Sequence, residues 1–405
     1  MSAAPAVPEP IRDPPSMAVA VPLPRELTRY ARSPLRWRPG CKVAVLRDGG
    51  ETYPAMLAAL AEARHSICFE TYILAPDRTG DRFKEVLIER ARAGVKVRFL
   101  YDAVGCLGCA DERYFRPLRE AGVELLEFHP IAPWRRNWGF NRRNHQKILV
   151  VDGKLAFTGG LNLADEYGPG STGSGWRDLH ASVRGPAVGE LERVFGRGWE
   201  LGGGAPFLLP PAPSESETQA RGEGALVQTI DNVGVRRRHW MHAAWRYALH
   251  AAQQRVVIAN AYFIPDIILR RTFREAVRRG VSVRVLVPGR TDVAIVKHAS
   301  RFLYRRLLRA GVRIYESADE MLHTKAAVVD GVWSTLGSYN LDRRSFLHNL
   351  EAGLVVVDHE FGERLESELE IDFARATEID LGAWIARPRW QQALEWVCYR
   401  FRYWL

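Results

Sequence analysis

The sequence has 405 residues, 47% of them hydrophobic and 26% charged, which is enough for two domains that each bury a core. It contains no run of about 18 uncharged apolar residues, which speaks against a membrane-spanning helix. Its five cysteines are an odd number for a disulfide framework and fit a reducing cytoplasm, while a net charge of +10 points to an anionic partner: nucleic acid, a phospholipid surface or a phosphorylated substrate.

The chain opens with MSAAPAVPEPIRDPPSMAVAVPLP, too rich in proline and acids for a signal peptide, so residues 1–34 are expected to be a disordered leader. Residues 35–203 then read as a first α/β domain. An apolar strand in SICFETYILAPD feeds an amphipathic helix that stops at Gly94, and the chain returns as a strand in VKVRFLYD, a βαβ pattern that implies largely parallel strands. Cys106 and Cys109 form a lone CxxC, and without a second pair they read as packing residues.

The phrase NHQKILVVDGKLAFTGGLNLADEY follows. On a strand, residues two apart share a face, so His145 and Lys147 project together. Asp152-Gly153 is a hairpin turn, and the next strand runs into Gly159-Gly160-Leu161-Asn162, where glycines let a backbone approach a ligand. A Pro/Gly/Ser-rich stretch over 204–223 reads as a linker.

Residues 224–380 repeat the scheme. VVIANAYFIPD, a helix stopping at Gly280 and VSVRVLVP lead to LHTKAAVVDGVWSTLGSYNLDRRS, with His323, Lys325, Asp330-Gly331 and Asn340. Each asparagine lies seventeen residues after its histidine. A repeat that keeps its special residues suggests two homologous domains facing each other across one site. An imidazole, an ammonium and an amide aimed at one point suit a phosphate. Lysine and asparagine hold the non-bridging oxygens, and histidine can attack phosphorus or move the ester proton.

Residues 381–405 form an aromatic and basic helix, with Trp390, Leu394, Val397, Phe401 and Leu405 at helical spacing. That composition favours a membrane interface over a packed core helix. Trp390 and Trp404 are therefore candidate lipid-facing residues. So are Arg135, Arg136, Arg142 and Arg143, interleaved with Trp134, Trp138 and Phe140 ahead of His145. The same loop also suits stacking on nucleic acid.

The paired motifs His145-Lys147-Asp152 and His323-Lys325-Asp330 resemble the HxKx4D signature of the phospholipase D superfamily, over almost the whole chain after the leader. The phrases ETYIL, GGLNLADEY, WRD, AYFIPD and GSYNLDRRSFLHNLE are similar to bacterial cardiolipin synthases, in particular the short type without N-terminal membrane helices. The resemblance implies two homologous phospholipase D-like α/β/α sandwich domains, with mixed, largely parallel sheets, facing each other across one shared active site. It also implies a metal-free and cofactor-free transfer in which His145 is the nucleophile and His323 the acid/base, while Lys147, Lys325, Asn162 and Asn340 hold the phosphate. It further implies phosphatidylglycerol as substrate and a peripheral place on the cytoplasmic face of the bacterial inner membrane.

Asp152 and Asp330, though part of the signature, sit at turns facing away from their histidines and read as structural. Each histidine also needs a carboxylate to fix its tautomer. Glu351 lies 28 residues after His323 and Asp178 lies 33 after His145, which pairs each acid with the histidine of its own half. The basic stretch before His145 and the acidic ESADEM before His323 suggest a neutral His145 and a protonated His323. The rival activities in the same fold are a hydrolytic phospholipase D, transfer from another donor such as phosphatidylethanolamine, and a nuclease. Nucleic acid is the less favoured partner because the C-terminus is so aromatic and because of the phrase GSYNLDRRS, although the basic charge suits it.

Overall fold

The computed structural model describes residues 25–31, 37–108, 111–135, 137–168, 175–208, 224–233, 237, 239–318 and 321–405. Among these described residues, fifteen strands form one continuous sheet in the order β15-β11-β10-β9-β12-β13-β14-β8-β1-β7-β6-β5-β2-β3-β4. The first half contributes β1 (Arg38–Arg47), β2 (Ser66–Thr71), β3 (Lys96–Asp102), β4 (Glu124–Phe128), β5 (Ile148–Val151), β6 (Leu155–Gly159) and β7 (Leu179–Arg184). The second contributes β8 (Ala225–Asp231), β9 (Arg255–Asn260), β10 (Ser282–Val287), β11 (Arg313–Ser317), β12 (Lys325–Val329), β13 (Trp333–Gly337), β14 (Ala352–Val357) and β15 (Ala376–Glu378).

The repeat read in the sequence is visible strand by strand. β2-β3-β4 and β9-β10-β11 are parallel, each from strand–helix–strand units. The intervening helices Arg78–Arg92 and Ile267–Arg278 begin alike, with Asp77 accepting from the Gly80 N–H and Asp266 from the Leu269 N–H. Both run out at the left-handed Gly94 (φ 87°) and Gly280 (φ 90°). Among the strands parallel pairing goes no further. β5, β6 and β7, like β12, β13 and β14, pair antiparallel, so the sheet is mixed, as expected, but most of its pairings are antiparallel. The Asp-Gly hairpins reverse the chain: Asp152 and Gly153 have φ of 51° and 62°, and Asp330 and Gly331 have 54° and 70°.

One hydrophobic cluster belongs to each half, and a third draws on both, with Val45, Ile148 and Val183 packed among Val257, Leu336 and Val356. Arg177 adds a buried polar lock, donating to Asp372 at 2.7 Å, Glu368 at 3.2 Å and Asp48 at 3.2 Å. The two halves therefore share a core and one sheet.

Two boundaries fall differently from the composition. Within the stretch expected to be a leader, Arg25–Thr28 is helical, and Tyr30 is buried in the second-half core with its hydroxyl donating to Asp330 at 2.7 Å. Within the linker stretch, Phe207 is buried against Phe195 and Trp199. In both places an isolated aromatic finds an apolar slot that local proline and glycine content does not reveal.

Candidate active site

The two HxK phrases lie where β5 and β12 begin, one in each half of the sheet. His145 just precedes its strand, and its N–H donates to the Leu350 carbonyl at 2.9 Å. His323 does the same to the Arg177 carbonyl at 2.8 Å. Each histidine segment is thus laid against a segment of the opposite half, with parallel bridges Asn144–Leu350 and Arg177–Leu322.

That crossing corrects the carboxylate pairing expected from spacing. His145 Nδ1 lies 3.0 Å from Glu351, and His323 Nδ1 lies 2.7 Å from Asp178. Each acid holds the histidine of the other half, because the residue following the bridge partner, Leu350 or Arg177, is the acid. A neutral ring that donates from Nδ1 keeps its lone pair on Nε2, and both rings line one cavity of about 350 Å³ with Asn162, Asn340, Tyr72, Trp176 and Tyr262.

The lysines are buried beside their histidines, Lys147 Nζ donating to the His145 carbonyl at 2.8 Å and Lys325 Nζ to that of His323. Asn162 accepts from the Ile73 N–H at 3.3 Å and donates to Tyr167 Oη at 2.8 Å, and Asn340 accepts from the Tyr262 N–H at 3.3 Å. Asp152 and Asp330 lie at the opposite end of their strands. Asp152 accepts from the N–H groups of Arg64, His65 and Ser66. Asp330 accepts from those of Gln253, Gln254 and Arg255. Each carboxylate pins the loop that leads into the central strand of its half.

Electrostatics depart from the flanking charges. Burial and the neighbouring lysines push His323 well below the ordinary histidine value. Burial also lowers His145, where Glu351 opposes it. The more depressed ring is His323, the reverse of the ordering expected from the flanking charges, because burial and the two lysines dominate there. Of ESADEM, Glu316 is paired with Arg301, and Asp319 and Glu320 lie outside the described residues. Burial brings Lys147 down to about 7 and Lys325 to about 8, and it pushes Asp178 up to about 6. Glu351 is also buried, yet His145, Lys147 and Ser338 together hold it below the usual value.

Three aromatic rings escaped a functional reading in the sequence. Tyr72 stands edge-on to His145 at 5.1 Å, and Tyr167 and Trp176 flank His323 at 5.6 and 5.3 Å. Their signal was their presence inside the motif phrases, ETYIL, ADEY and WRD.

The proposed lipid-facing set divides. Arg143 is 1% exposed and forms a buried pair with Asp102 at 3.4 Å, while donating to the His129 carbonyl, so it is structural and not a surface cation. Arg135 is ion-paired with Glu127, Arg142 is half-buried, and Arg136 lies outside the described residues. Trp134, Trp138 and Phe140 are exposed, as are Trp390, Leu394, Val397, Phe401 and Trp404. The helix Arg389–Arg400 turns its other face inward, with Cys398 buried and Tyr399 stacked on Phe302 at 4.6 Å. Trp404 and Leu405 reach the cavity rim.

Among the described residues no helix is long and apolar enough to cross a membrane, and no group of three or more His, Cys, Asp or Glu side chains is arranged to hold a metal ion. Cys106 is buried and accepts from the Leu74 N–H at 3.4 Å, and Cys109 lies outside the described residues.

A family profile described as "Cardiolipin synthase, PLD-like domain" matches residues 56–170 and 246–373. A cardiolipin synthase of Geobacillus kaustophilus is 38% identical over 349 residues, covering 86% of this chain and 69% of that protein. Cardiolipin synthase A of Pseudomonas aeruginosa is 36% identical over 357 residues, 87% of this chain and 71% of that protein. Among solved structures, the phosphatidylserine synthase of Haemophilus influenzae superposes with a TM-score of 0.68 at 14% identity, over 93% of this chain and 97% of that one. At that identity the likeness speaks for the fold alone.

Proposed function

This chain belongs to the cardiolipin synthase family of phospholipase D-like phosphatidyltransferases, and from that premise we propose that it joins two phosphatidylglycerol molecules and releases glycerol. The observation that carries the reading is the crossed pair of carboxylate–histidine contacts opening into one cavity.

With Nδ1 tied to Glu351, His145 turns Nε2 toward phosphorus. Its attack forms the N–P bond as the bond from phosphorus to the glycerol oxygen breaks, and His323 Nε2–H protonates that oxygen. In the free enzyme, burial and two lysines keep His323 neutral. The phosphodiester anion supplies the opposing charge under which it takes up a proton. A hydroxyl of the second phosphatidylglycerol then gives its proton to His323 while its oxygen displaces His145 from phosphorus. Lys147, Lys325, Asn162 and Asn340 hold the non-bridging oxygens in both steps. Water in place of the second lipid would yield phosphatidic acid.

The exposed aromatics support docking on a membrane surface, which we take to be the cytoplasmic face. Trp134, Trp138 and Phe140 come from one half, and Trp390, Phe401 and Trp404 from the other. Asn141 Nδ2 lies 3.0 Å from His348 Nδ1, and that ring is stacked parallel to Trp404, so both segments meet beside the cavity.

The direct test is a product assay on phosphatidylglycerol liposomes with EDTA, comparing the protein with His145→Ala. Cardiolipin with released glycerol, lost in the variant, is the expected result. Phosphatidic acid alone would make the protein a hydrolase, and no turnover would send the search to other donors and then to nucleic acid.

A further inference from the structure

The cavity is polarised from end to end. Beside His145 stands Arg344, whose guanidinium donates to the Trp404 carbonyl at 3.3 Å and enters no ion pair among the described residues. Its charge reaches the Tyr72 hydroxyl, which stands by that histidine. Beside His323 stands Asp292, an exposed carboxylate whose two oxygens both lie 2.7 Å from Tyr262 Oη. Its negative charge opposes the lysines at His323. Tyr262 falls where the first half has Ile73, each N–H donating to the asparagine of its own half, and among the described residues no carboxylate accepts from Tyr72. The phenol and its acid are therefore an asymmetry added to a symmetric frame.

A carboxylate can only accept hydrogen bonds. One phenol O–H and the Thr291 hydroxyl, at 3.2 Å, leave Asp292 with lone pairs directed at the cavity mouth. A phosphate there would meet like charge, whereas a hydroxyl group would be a good donor. Glycerol commits one hydroxyl to the reaction at His323 and still has another to offer.

We propose that Asp292, oriented by Tyr262, forms the subsite for the free hydroxyl of the alcohol that leaves and arrives beside His323, a polyol of the glycerol class. The inference rests on the transferase reading above. A monohydric alcohol spends its only hydroxyl on the reaction and leaves Asp292 to water, so Asp292 sets a preference among acceptors. The phosphate end of the substrate points toward Arg344.

The test is a partition measurement. Phosphatidylglycerol vesicles are incubated with equal concentrations of radiolabelled glycerol and 1-propanol, and labelled phosphatidylglycerol is counted against labelled phosphatidylpropanol. Both products arise from one phosphoenzyme, so their ratio does not depend on donor affinity or on the fraction of protein that is folded. The wild type should favour glycerol, and Asp292→Asn and Tyr262→Phe should each lower the ratio by about fivefold, the worth of one hydrogen bond. An unchanged ratio with reduced total turnover would overturn the subsite and leave Asp292 as a charge that tunes His323. A wild-type preference for ethanolamine over glycerol that disappears in Asp292→Asn would overturn the polyol assignment in favour of an ammonium. If the wild type incorporates both alcohols but forms no cardiolipin, the synthase reading fails while the subsite is still scored by the ratio.

Discussion

The two histidine stations are built from the same parts and supported in different ways. Glu351, which holds His145, accepts from the hydroxyls of Ser338 and Ser345 and from the Asn349 amide. Asp178, which holds His323, accepts from the Leu179 N–H, and at the place matching Ser338 the chain has Gly160. A carboxylate with three side-chain donors stays ionised, and one with little support in a dry site drifts toward its neutral form. The pKa directions agree, with Glu351 held below its usual value first by His145 and Lys147 and then by Ser338, and Asp178 pushed up to about 6 by burial. The difference teaches that a duplicated site need not be symmetric in chemistry. One station is kept as a permanent anion behind a nucleophile, and the other can share a proton with its base.

The sharpest way to break this comparison is to delete each ring. His145→Ala and His323→Ala should each lower cardiolipin formation by about 10⁴-fold or more, as loss of a nucleophile or its acid/base partner does elsewhere. They should part on a donor whose leaving group needs no proton, such as phosphatidyl-p-nitrophenol. His323→Ala should give a burst of p-nitrophenol and an acid-labile phosphoprotein, whereas His145→Ala should give neither. A burst in His145→Ala would exchange the two roles.

Removing the carboxylates comes next. Glu351→Gln should cost about 10³-fold in kcat and Asp178→Asn about 10²-fold, because burial makes Asp178 the less stable anion of the two and the weaker support for a charged ring. Their pH profiles discriminate more finely. Asp178 is neutral below about 6, so wild-type kcat/KM should fall as pH drops through that value, and Asp178→Asn should lack this acid limb while Glu351→Gln keeps it. On the alkaline side, Lys147 and Lys325 lose their charge as pH rises through about 7 and about 8. Phosphate binding should weaken there in both variants alike. Equal acid limbs in the two variants would mean the stations are equivalent after all.

Much of this site is legible in the sequence. The doubled His-Lys-Asp with its asparagine at a fixed distance marks a repeat, and Asp-Gly after an apolar run marks a hairpin, since both are local facts of spacing. The crossed carboxylates were not legible. Spacing along the chain joins Asp178 to His145, and only the docking of one half on the other, through the Asn144–Leu350 and Arg177–Leu322 bridges, sends each acid to the far histidine. Arg143 misleads for a related reason. Four arginines among tryptophans look like a surface, but Asp102 lies forty-one residues away at the end of β3 and draws one of them inside. Residue type gives the chemistry of a group, and partners distant in sequence decide where that chemistry is used.

The mildest perturbation exchanges the residues that differ beside the two acids. A Cβ on Gly160 would fall 2.3 Å from both Asp178 oxygens, and backbone and carboxylate are both held, so Gly160→Ser should cost about 1–3 kcal/mol of stability, as overpacking does. It should lower the Tm and displace His323 together with its acid. Ser338→Gly, in contrast, opens space and removes one donor from Glu351, which keeps Ser345 and Asn349. A single lost hydrogen bond to a charged group predicts a fall in kcat of about tenfold with KM little changed. Because the lost donor favoured the ionised carboxylate, the Glu351 pKa should rise, and an acid limb should emerge at higher pH than the wild type shows for that group. If Ser338→Gly leaves the pH profile untouched, the hydroxyl only fills space beside Glu351, and His145 and Lys147 alone hold that carboxylate below its usual value.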